Sequence, residues 1–430
     1  LGVSRTVVVG AYERLLAEGF VTGRVGSGTY VAAGLSAAPA GSRRSVTPRL
    51  SRFGRFAAGA GSTMDFPGPR ARALPYDFAY GRSDVDCFPF QHWQRLLHRH
   101  ARRTPIRELD YGPAAGSDAL REAIASHLRR SRGVVCEPSQ VVVVSGSQQA
   151  LDLVGRVLIE PGDRVAVEEP SYQGARAVLR AAGARLCPTR VDGDGLDPAR
   201  LPDDARAAFV TPSHQFPTGV ILSLARRQAM LQWARRRNAM IVEDDYDGEF
   251  RYQGEPLESL QGLDSEGRVI YIGTFSRTVF SALRIGYLVV PKSLVETFVA
   301  AKWLCDRHTP TLEQETLAEF IASGMYERHL RRVRRRNAVN RAALLDAVER
   351  RLGDRVTMTG AGAGAHIALW PRQRVSDAAV VAAAAARGVG VYPVSPYYLR
   401  KSPRPGLMLG YSRMREADIR EGVRRLAEIL

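Results

Sequence analysis

The chain has 430 residues, of which 61 are basic and 44 are acidic, so its formal net charge is +17. A chain of this length can form two to four structural units with hydrophobic cores. The composition, 45% hydrophobic and 24% charged, is typical of a globular protein and excludes collagen, a coiled coil and wholesale disorder. The sequence has no apolar run long enough to cross a bilayer and no secretory signal at its start, so we expect a cytoplasmic protein.

Cysteine and lysine are both rare in this sequence. The cysteines are Cys87, Cys136, Cys187 and Cys305. Because they are widely spaced, the sequence predicts neither a disulfide framework nor a metal site, and we expect buried thiols. Lysine occurs only at Lys292, Lys302 and Lys401, so any chemistry that requires a deprotonated amine has three candidates.

The N-terminal segment has the pattern of a helix followed by a short hairpin. Apolar residues recur with helical spacing between Ser4 and Glu18, and Ser4 is suited to the N-cap. Residues of Phe20–Val31 then alternate around Gly26 and Gly28, which predicts two strands joined by a tight turn.

This segment resembles the end of a GntR-type winged helix. The resemblance implies that Ser4, Arg5 and Thr6 at the tip of the recognition helix contact DNA, and that Gly26 and Gly28 shape a wing close to the phosphates. The alternative is a helix and hairpin that pack for their own sake. The helices that normally precede this one are absent, so we expect a missing upstream segment. The matching strings are Leu1–Val7, Tyr12–Phe20 and Gly26–Val31.

Residues 33–75 are rich in Ala, Gly, Ser, Pro and Arg and show no sustained periodicity, which is typical of a flexible linker. The segment contains seven arginines and one acidic residue, Asp65. Two interpretations remain open. The linker is either a merely solvated tether or a tether that adds attraction to the phosphate backbone of DNA.

Beyond the linker, predicted strands alternate with predicted helices, which indicates an α/β sheet, mostly parallel and covered on both faces. From about residue 301 the pattern becomes helical and then mixed, which predicts a smaller C-terminal α+β lobe. The predicted domains are therefore 1–32, 33–75, 76–300 and 301–430. The predicted strands are Gln140–Val144, Arg164–Glu168, Ala207–Val210, Met240–Glu243, Val269–Ile272 and Gly286–Val290, and the predicted helices are Gln148–Leu158 and Leu224–Arg237.

Short blocks in this region resemble those of fold-type I aminotransferases, in the form fused to GntR-type winged helices, the MocR-like regulators. The resemblance implies the fold of a PLP-dependent transferase, pyridoxal 5'-phosphate as cofactor, a homodimer, and an effector such as an amino acid or amine. The blocks are Asp110–Gly112, Ser145–Ala150, Glu169–Tyr172, Thr211–Pro217, Glu243–Asp247, Gly273–Arg277 and Arg284–Tyr287.

Six of the matching positions correspond to residues that bind the cofactor phosphate in the family, and we call them the phosphate seat. The phosphate-seat residues are Gly146, Ser147, Gln148, Thr274, Ser276 and Arg284. The first three stand where a strand gives way to a helix, so their amides and the helix dipole suit an anion. The other three offer two hydroxyls and a bidentate cation. The resemblance also implies that Tyr111 reaches the phosphate bound by the other subunit.

Three further positions match residues that hold the pyridine ring in the family. The resemblance implies that Tyr172 stacks on the ring, Asp244 keeps the ring nitrogen protonated, and Tyr246 hydrogen-bonds the ring hydroxyl. Taken singly, Asp244 is equally explained as the cap of a strand, and Tyr172 as a core residue. The ordered set favours descent from a pyridoxal phosphate pocket.

The sequence departs from the family where the cofactor is covalently attached. The residue after Ser276 is normally the Schiff-base lysine, and here it is Arg277. A guanidinium stays protonated and is not a usable nucleophile toward an aldehyde. None of the three lysines replaces it by position, so the cofactor is expected to bind non-covalently. Phe216 stands where aminotransferases usually carry an asparagine, a feature that the MocR-like branch shares. Near Met408, where catalytic relatives carry a substrate-binding arginine, Arg404 is the nearest candidate.

These features predict a DNA-binding transcription regulator whose aminotransferase-like domain senses a small molecule and has no catalytic residue at position 277. One alternative is a PLP-dependent aminotransferase, which rests on analogy of fold. The other is a degenerate, non-functional relative, which both the start of the chain and Arg277 favour.

Overall fold

The computed structural model describes residues 2–33, 48–60, 74–103, 105, 110–252, 258–373 and 375–430. Packing divides the chain into two units, one ending at Ser51 and the other beginning at Arg52. Within the described ranges, no helix combines the length and the hydropathy that a membrane span requires.

The first unit contains the predicted helix and hairpin. Helix α1 covers Arg5–Ala17, and strands β1 (Val21–Arg24) and β2 (Gly28–Val31) pair in antiparallel register. The turn between them includes Gly26 at φ +75°, a left-handed conformation that favours glycine. Helix α1 has no buried residue, and its large apolar side chains are 38–59% exposed.

Part of the predicted linker is a helix. Helix α2 spans Arg52–Ala60 and contacts helix α6 (Gln173–Ala182). Phe56 and Ala60, four residues apart, are half-buried, so the helix packs one face inside the second unit, to which it belongs. The expectation of no regular structure is therefore wrong for these residues. The linker residues 34–47 and 61–73, including Asp65, lie outside the described residues.

The second unit is built on an eight-stranded sheet with the strand order β4, β11, β10, β9, β8, β5, β6, β7. Strand β11 runs antiparallel to both of its neighbours, β7 runs antiparallel to β6, and the other pairs are parallel. This confirms the predicted α/β class with a mostly parallel sheet. The strands are β4 (Val141–Val144), β5 (Arg164–Glu169), β6 (Arg185–Asp192), β7 (Gly195–Leu196), β8 (Ala205–Val210), β9 (Met240–Asp245), β10 (Val269–Thr274) and β11 (Gly286–Val289).

Helices cover both faces of this sheet. Strand β4 shows why, since Val141 and Val143 join one apolar core whereas Val142 and Val144 join the core on the opposite face. A strand buried on both sides consists of consecutive apolar residues. The helices of this lobe are α3 (Phe90–Arg103), α4 (Asp118–Ser131), α5 (Ser147–Leu158), α6, α7 (Leu224–Arg237), α8 (Leu260–Leu263), α9 (Val295–Asp306) and α10 (Thr311–Ala322).

A smaller lobe contains a four-stranded antiparallel sheet with the order β12, β13, β16, β15. Next to it, strand β3 (Tyr76–Asp77) pairs in parallel with β14 (Val389–Gly390). The remaining elements of the lobe are α11 (Met325–Leu352), β12 (Val356–Thr359), β13 (His366–Pro371), α12 (Asp377–Ala386), β15 (Tyr392–Pro393), β16 (Leu407–Gly410) and α13 (Glu416–Leu426).

The lobe boundaries differ from those predicted. Residues Leu317 and Phe320 pack in the large-lobe core, so the small lobe does not begin at residue 301. The chain passes between the lobes within α11, whose Leu330 belongs to the large-lobe core and whose Leu344 belongs to that of the small lobe. The pairing of β3 with β14 likewise assigns residue 76 to the small lobe.

The expectation of buried thiols is correct only for Cys136. Cys87 and Cys187 are half-buried, and Cys305 is exposed on α9. All four are free.

Candidate cofactor site

The phosphate end of the site lies where β4 gives way to α5. Gly146 caps this helix at φ +88°, and no side chain caps the helix amides that follow it. The Arg284 guanidinium donates from Nη2 to the carbonyl of Ser145 at 2.8 Å. A Cβ added at Gly146 would lie 2.7 Å from the same nitrogen. Only glycine therefore lets the guanidinium approach the start of α5, where an anion would lie.

The remaining predicted phosphate-seat residues lie around this helix start. Ser147, Gln148, Thr274 and Ser276 are all half-buried. The Thr274 hydroxyl accepts a hydrogen bond from the Ser276 amide at 3.2 Å, which joins the two hydroxyl residues into one turn at the end of β10. The Gln148 side chain donates to the carbonyl of Gly174 at 3.3 Å.

A hydrogen-bond network that was not predicted from the sequence connects the start of α5 to α9. Gln149 accepts from the amide of Ser145 at 2.7 Å and donates to Asp306 at 2.7 Å. Asp306 in turn pairs with Lys302, whose side chain is fully buried. The ammonium of Lys302 is therefore committed to a carboxylate, which agrees with the expectation that it does not replace the Schiff-base lysine.

The ring end of the site is the carboxyl of Asp244, close to the end of β9. Burial, reinforced by the neighbouring Asp245 carboxylate, raises the pKa of Asp244 to about 7. Its Oδ1 atom is buried and has no hydrogen-bond partner among the described residues. A buried carboxyl oxygen without a partner is costly unless a ligand satisfies it, and a protonated ring nitrogen would do so.

Aromatic side chains form the walls of the site. The rings of Tyr172 and Phe216 are 6.0 Å apart, and those of Phe216 and Tyr246 are 5.9 Å apart, both edge to face. Burial raises the pKa of Tyr172 to about 12, so its phenol stays protonated. The Tyr246 hydroxyl already donates to the carbonyl of His214 at 2.9 Å. Toward a ring hydroxyl it can therefore only accept.

Arg277 lies at the position of the missing lysine. It is half-buried and lines a small cavity of about 10 Å³ together with Tyr80, Gly81 and Phe216. A Cβ at Gly81 would lie 2.6 Å from Nη1 of Arg277, so the guanidinium lies directly against the backbone of this glycine. Gly81 also has φ +76°, which favours glycine independently.

Tyr111 lies at the surface beside Arg307 and His308. Its side chain is 72% exposed, and its ring packs under the Arg307 guanidinium at 4.6 Å and edge-on to His308. The proposed role of Tyr111 across a dimer interface stays a prediction.

The predicted DNA-contacting residues all belong to the first unit and are exposed. Ser4 is at the N-cap of α1, although its side chain makes no capping hydrogen bond, and Arg5 and Thr6 form the first turn. Gly26 lies in the hairpin turn and Gly28 begins β2 at φ +105°.

Two buried polar groups near the ring end were missed in the sequence. The Glu168 carboxylate accepts from Thr211 at 2.6 Å and from Gln215 at 3.1 Å, and burial raises its pKa to about 7. Arg132 donates to Asp245 at 2.7 Å, which holds the strand end beside Asp244. Glu168 was detectable as a carboxylate in a buried strand, whereas the partner of Arg132 depends on packing distant in sequence.

A third missed feature is a buried group of His214, Asp247 and His366, whose potential ligand atoms lie within 4.8 Å of one another. His214 donates from Nδ1 to Asp247 at 3.0 Å, and His366 donates from Nε2 to the carbonyl of Pro217 at 3.1 Å. Burial lowers the pKa of His366 to about 3, so this imidazole is neutral. Nδ1 of His214 also lies 3.0 Å from the Tyr246 hydroxyl, so this group helps to position Tyr246.

Comparison with known proteins agrees with this geometry. Residues 86–426 match the family model for aminotransferase class I and II. The structure superposes on an α-aminoadipate aminotransferase from Thermus thermophilus with a TM-score of 0.78 and 30% identity, over 89% of this chain and 98% of that one. It also superposes on a kynurenine aminotransferase from Pyrococcus horikoshii with a TM-score of 0.77 and 28% identity, over 90% and 96% of the two chains. The fold is thus that of a fold-type I aminotransferase.

Full-length relatives narrow the class further. The chain is 40% identical to a probable rhizopine catabolism regulatory protein, MocR, of Rhizobium meliloti, over 99% of this chain and 86% of that protein. It is 32% identical to the HTH-type transcriptional regulator TauR of Rhodobacter capsulatus, over 100% and 90% of the two chains. The chain belongs to the MocR-like branch of the aminotransferase class I and II family, the HTH-type transcriptional regulators with an aminotransferase-like domain.

The residues of the site fit two parts of pyridoxal phosphate, the cofactor that this family implies, but do not fit its covalent attachment. The uncapped helix start and Arg284 suit its phosphate, and the unpartnered oxygen of Asp244 suits its ring nitrogen. Arg277 does not fit the covalent link, because a guanidinium offers no free amine.

Proposed function

We propose that the chain is a cytoplasmic DNA-binding transcription regulator whose aminotransferase-like domain binds pyridoxal phosphate reversibly and senses a small molecule without transaminating it. The observation that carries the proposal is Arg277 beside a helix start, Arg284 and Asp244 that suit the cofactor phosphate and ring nitrogen. Pyridoxal phosphate, when bound, supplies an electron sink next to the substrate amine. Transamination also requires an amine that anchors the cofactor and moves a proton, and Arg277 does neither.

The DNA-binding role is assigned to residues 1–32. Helix α1 presents Arg5 and Thr6 in its exposed first turn, and a helix enters the major groove with that end first. The net charge of +17 adds attraction to phosphate that does not depend on sequence. The names of the full-length relatives support the same role.

We further propose a homodimer in which Tyr111 completes the partner's phosphate seat. Its side chain is 72% exposed in the single chain and lies at the large-lobe surface beside α10, close to His308. Sedimentation of the whole chain tests this. A dimer across the micromolar range supports the proposal, and a purely monomeric species contradicts the shared site.

Two assays on the same preparation test the function. With pyridoxal phosphate and a panel of amino acids and amines, we expect no transamination above that of free cofactor. In a DNA-binding titration at fixed salt, we expect the affinity to change when cofactor and effector candidates are added. Turnover by the unmodified chain would establish the aminotransferase alternative. A folded chain that binds neither DNA nor cofactor would establish the degenerate alternative.

A further inference from the structure

The Arg277 guanidinium is placed beside the ring end of the site with its hydrogen-bonding capacity unused by the residues that the structure describes. Among the described residues it forms no ion pair and no hydrogen bond, although it is half-buried. Its five N–H donors are held against the backbone of Gly81, where a Cβ would lie within 3.1 Å of three guanidinium atoms. A planar, permanently charged fork without a carboxylate partner is available for an anion or a carbonyl oxygen.

The charge of Arg277 acts on the residues assigned to the ring. It lowers the pKa of Asp244, Tyr172 and Tyr246 against the larger opposing effect of burial. It also shares its cavity with Tyr246 and Phe216, two walls of the site. The guanidinium is therefore close to the face of the site where the lysine of the family would meet the ring substituent.

Replacing a lysine amine by a guanidinium at residue 277 changes which chemical groups this side chain can bind. A lysine amine attacks an aldehyde, whereas a guanidinium donates hydrogen bonds, pairs bidentately with a carboxylate and repels an ammonium. Among the described residues, neither the phosphate seat nor Asp244 is hydrogen-bonded to residue 277, and the positive charge that acts on Asp244 is common to a guanidinium and an ammonium. The ring substituent that faces residue 277 is the only part of the ligand whose recognition changes.

We propose that the site selects, without a covalent bond, a phosphorylated pyridine that carries an oxygen group, above all a carboxylate, on the carbon facing Arg277, and discriminates against the aminomethyl form. This inference rests on the proposed sensing function and names the ligand class. The regulator would thereby respond to the oxidised forms of the cofactor.

Three ligands that differ only at this carbon isolate the contribution of Arg277. Pyridoxal 5'-phosphate carries an aldehyde, pyridoxamine 5'-phosphate an ammonium, and 4-pyridoxic acid 5'-phosphate a carboxylate. Their phosphates and ring nitrogens are alike, so differences in affinity report on the substituent alone. Equilibrium titration of the full chain gives a dissociation constant for each.

We expect the carboxylate ligand to bind at least about tenfold more tightly than the ammonium ligand, with the aldehyde between them. In Arg277→Gln, which keeps a donor but removes the charge, this ratio should fall to within about twofold. Arg82→Gln removes a second arginine that lines the same cavity and should leave the ratio unchanged. Arg277→Met, with circular dichroism to verify folding, repeats the test without a donor.

Each outcome has a distinct meaning. Equal affinity for the carboxylate and ammonium ligands, or a ratio that Arg277→Gln and Arg277→Met leave unchanged, overturns this inference while the proposed cofactor seat stands. A ratio that Arg82→Gln lowers as much as Arg277→Gln assigns the selectivity to general charge and also overturns it. Failure of all three ligands to bind contradicts the seat in the proposed function itself.

Discussion

The residues that would hold the cofactor phosphate and ring lie in one site with residue 277, where the family attaches the cofactor covalently. The two parts depend on different kinds of structure. The seat is held by a helix start, a glycine with positive φ and the end of a buried strand, each supported by the fold around it. Covalent attachment of the cofactor depends on the side chain of one residue, which here is Arg277. We therefore expect cofactor binding and covalent attachment to have separable determinants, so that the residue at position 277 removes the second without the first.

The ring end offers the largest expected effect, since Oδ1 of the buried Asp244 carboxyl has no hydrogen-bond partner among the described residues. The pKa of Asp244 in the folded chain, about 7, is above the unfolded value of 3.8. Protonation of this carboxyl therefore stabilises the folded state at low pH, and that stabilisation is lost as the pH rises through 7. In the ligand-free chain at pH 8, Asp244→Asn should raise the free energy of unfolding by on the order of 4 kcal/mol. Below about pH 4 the gain should vanish.

Denaturant unfolding of both proteins between pH 5 and 8 measures this effect. Asp204→Asn alters an exposed ion pair with Arg164 and should leave the free energy of unfolding nearly unchanged. If Asp244→Asn behaves like Asp204→Asn, burial of the Asp244 carboxylate does not destabilise the folded chain. The same variant should also bind pyridoxal phosphate more weakly, because it cannot pair with a protonated ring nitrogen.

The phosphate end should respond next most strongly. Arg284→Ala removes the cation at the start of α5, and the affinity for pyridoxal phosphate should fall about 100-fold. Arg284→Lys should recover only part of this, because an ammonium lacks the bidentate fork. Arg404→Ala, a control at an arginine that stacks on Trp370 at 4.1 Å, should leave the affinity unchanged.

A smaller change should follow loss of one hydroxyl in the same seat. Thr274→Val keeps the shape of the side chain and removes its hydrogen bond, so we expect about a fivefold loss of affinity, or roughly 1 kcal/mol. Thr357→Val makes the same exchange on an exposed position of β12 and should have no effect. Titration of both variants measures this, and equal affinities would remove Thr274 from the seat.

The sequence predicted the fold well wherever local patterns decide it. Helix α7 matches its predicted bounds, and the predicted strands agree to within about two residues because consecutive apolar residues mark a doubly buried strand. The lobe boundaries were wrong because they depend on which core residues such as Leu317 and Leu344 join. No local pattern encodes that choice.

For the site, the motifs located residues but not their present hydrogen bonds. Asp244 and Tyr246 were predicted by position, yet the unpartnered oxygen of the first and the occupied hydroxyl of the second follow only from the packed structure. His366 lies in a Gly- and Ala-rich string with no signal of its own. It approaches His214 only because the small lobe packs there.

Pyridoxal phosphate should bind in the seat while residue 277 prevents its covalent attachment. Absorbance spectra and borohydride reduction, followed by mass spectrometry of the labelled peptide, compare the unmodified chain with Arg277→Lys. We expect the unmodified chain to bind cofactor reversibly, with no imine band and no adduct at Lys292, Lys302 or Lys401. Arg277→Lys should gain the band and an adduct at residue 277. An imine band in the unmodified chain, or none in Arg277→Lys, would contradict the account.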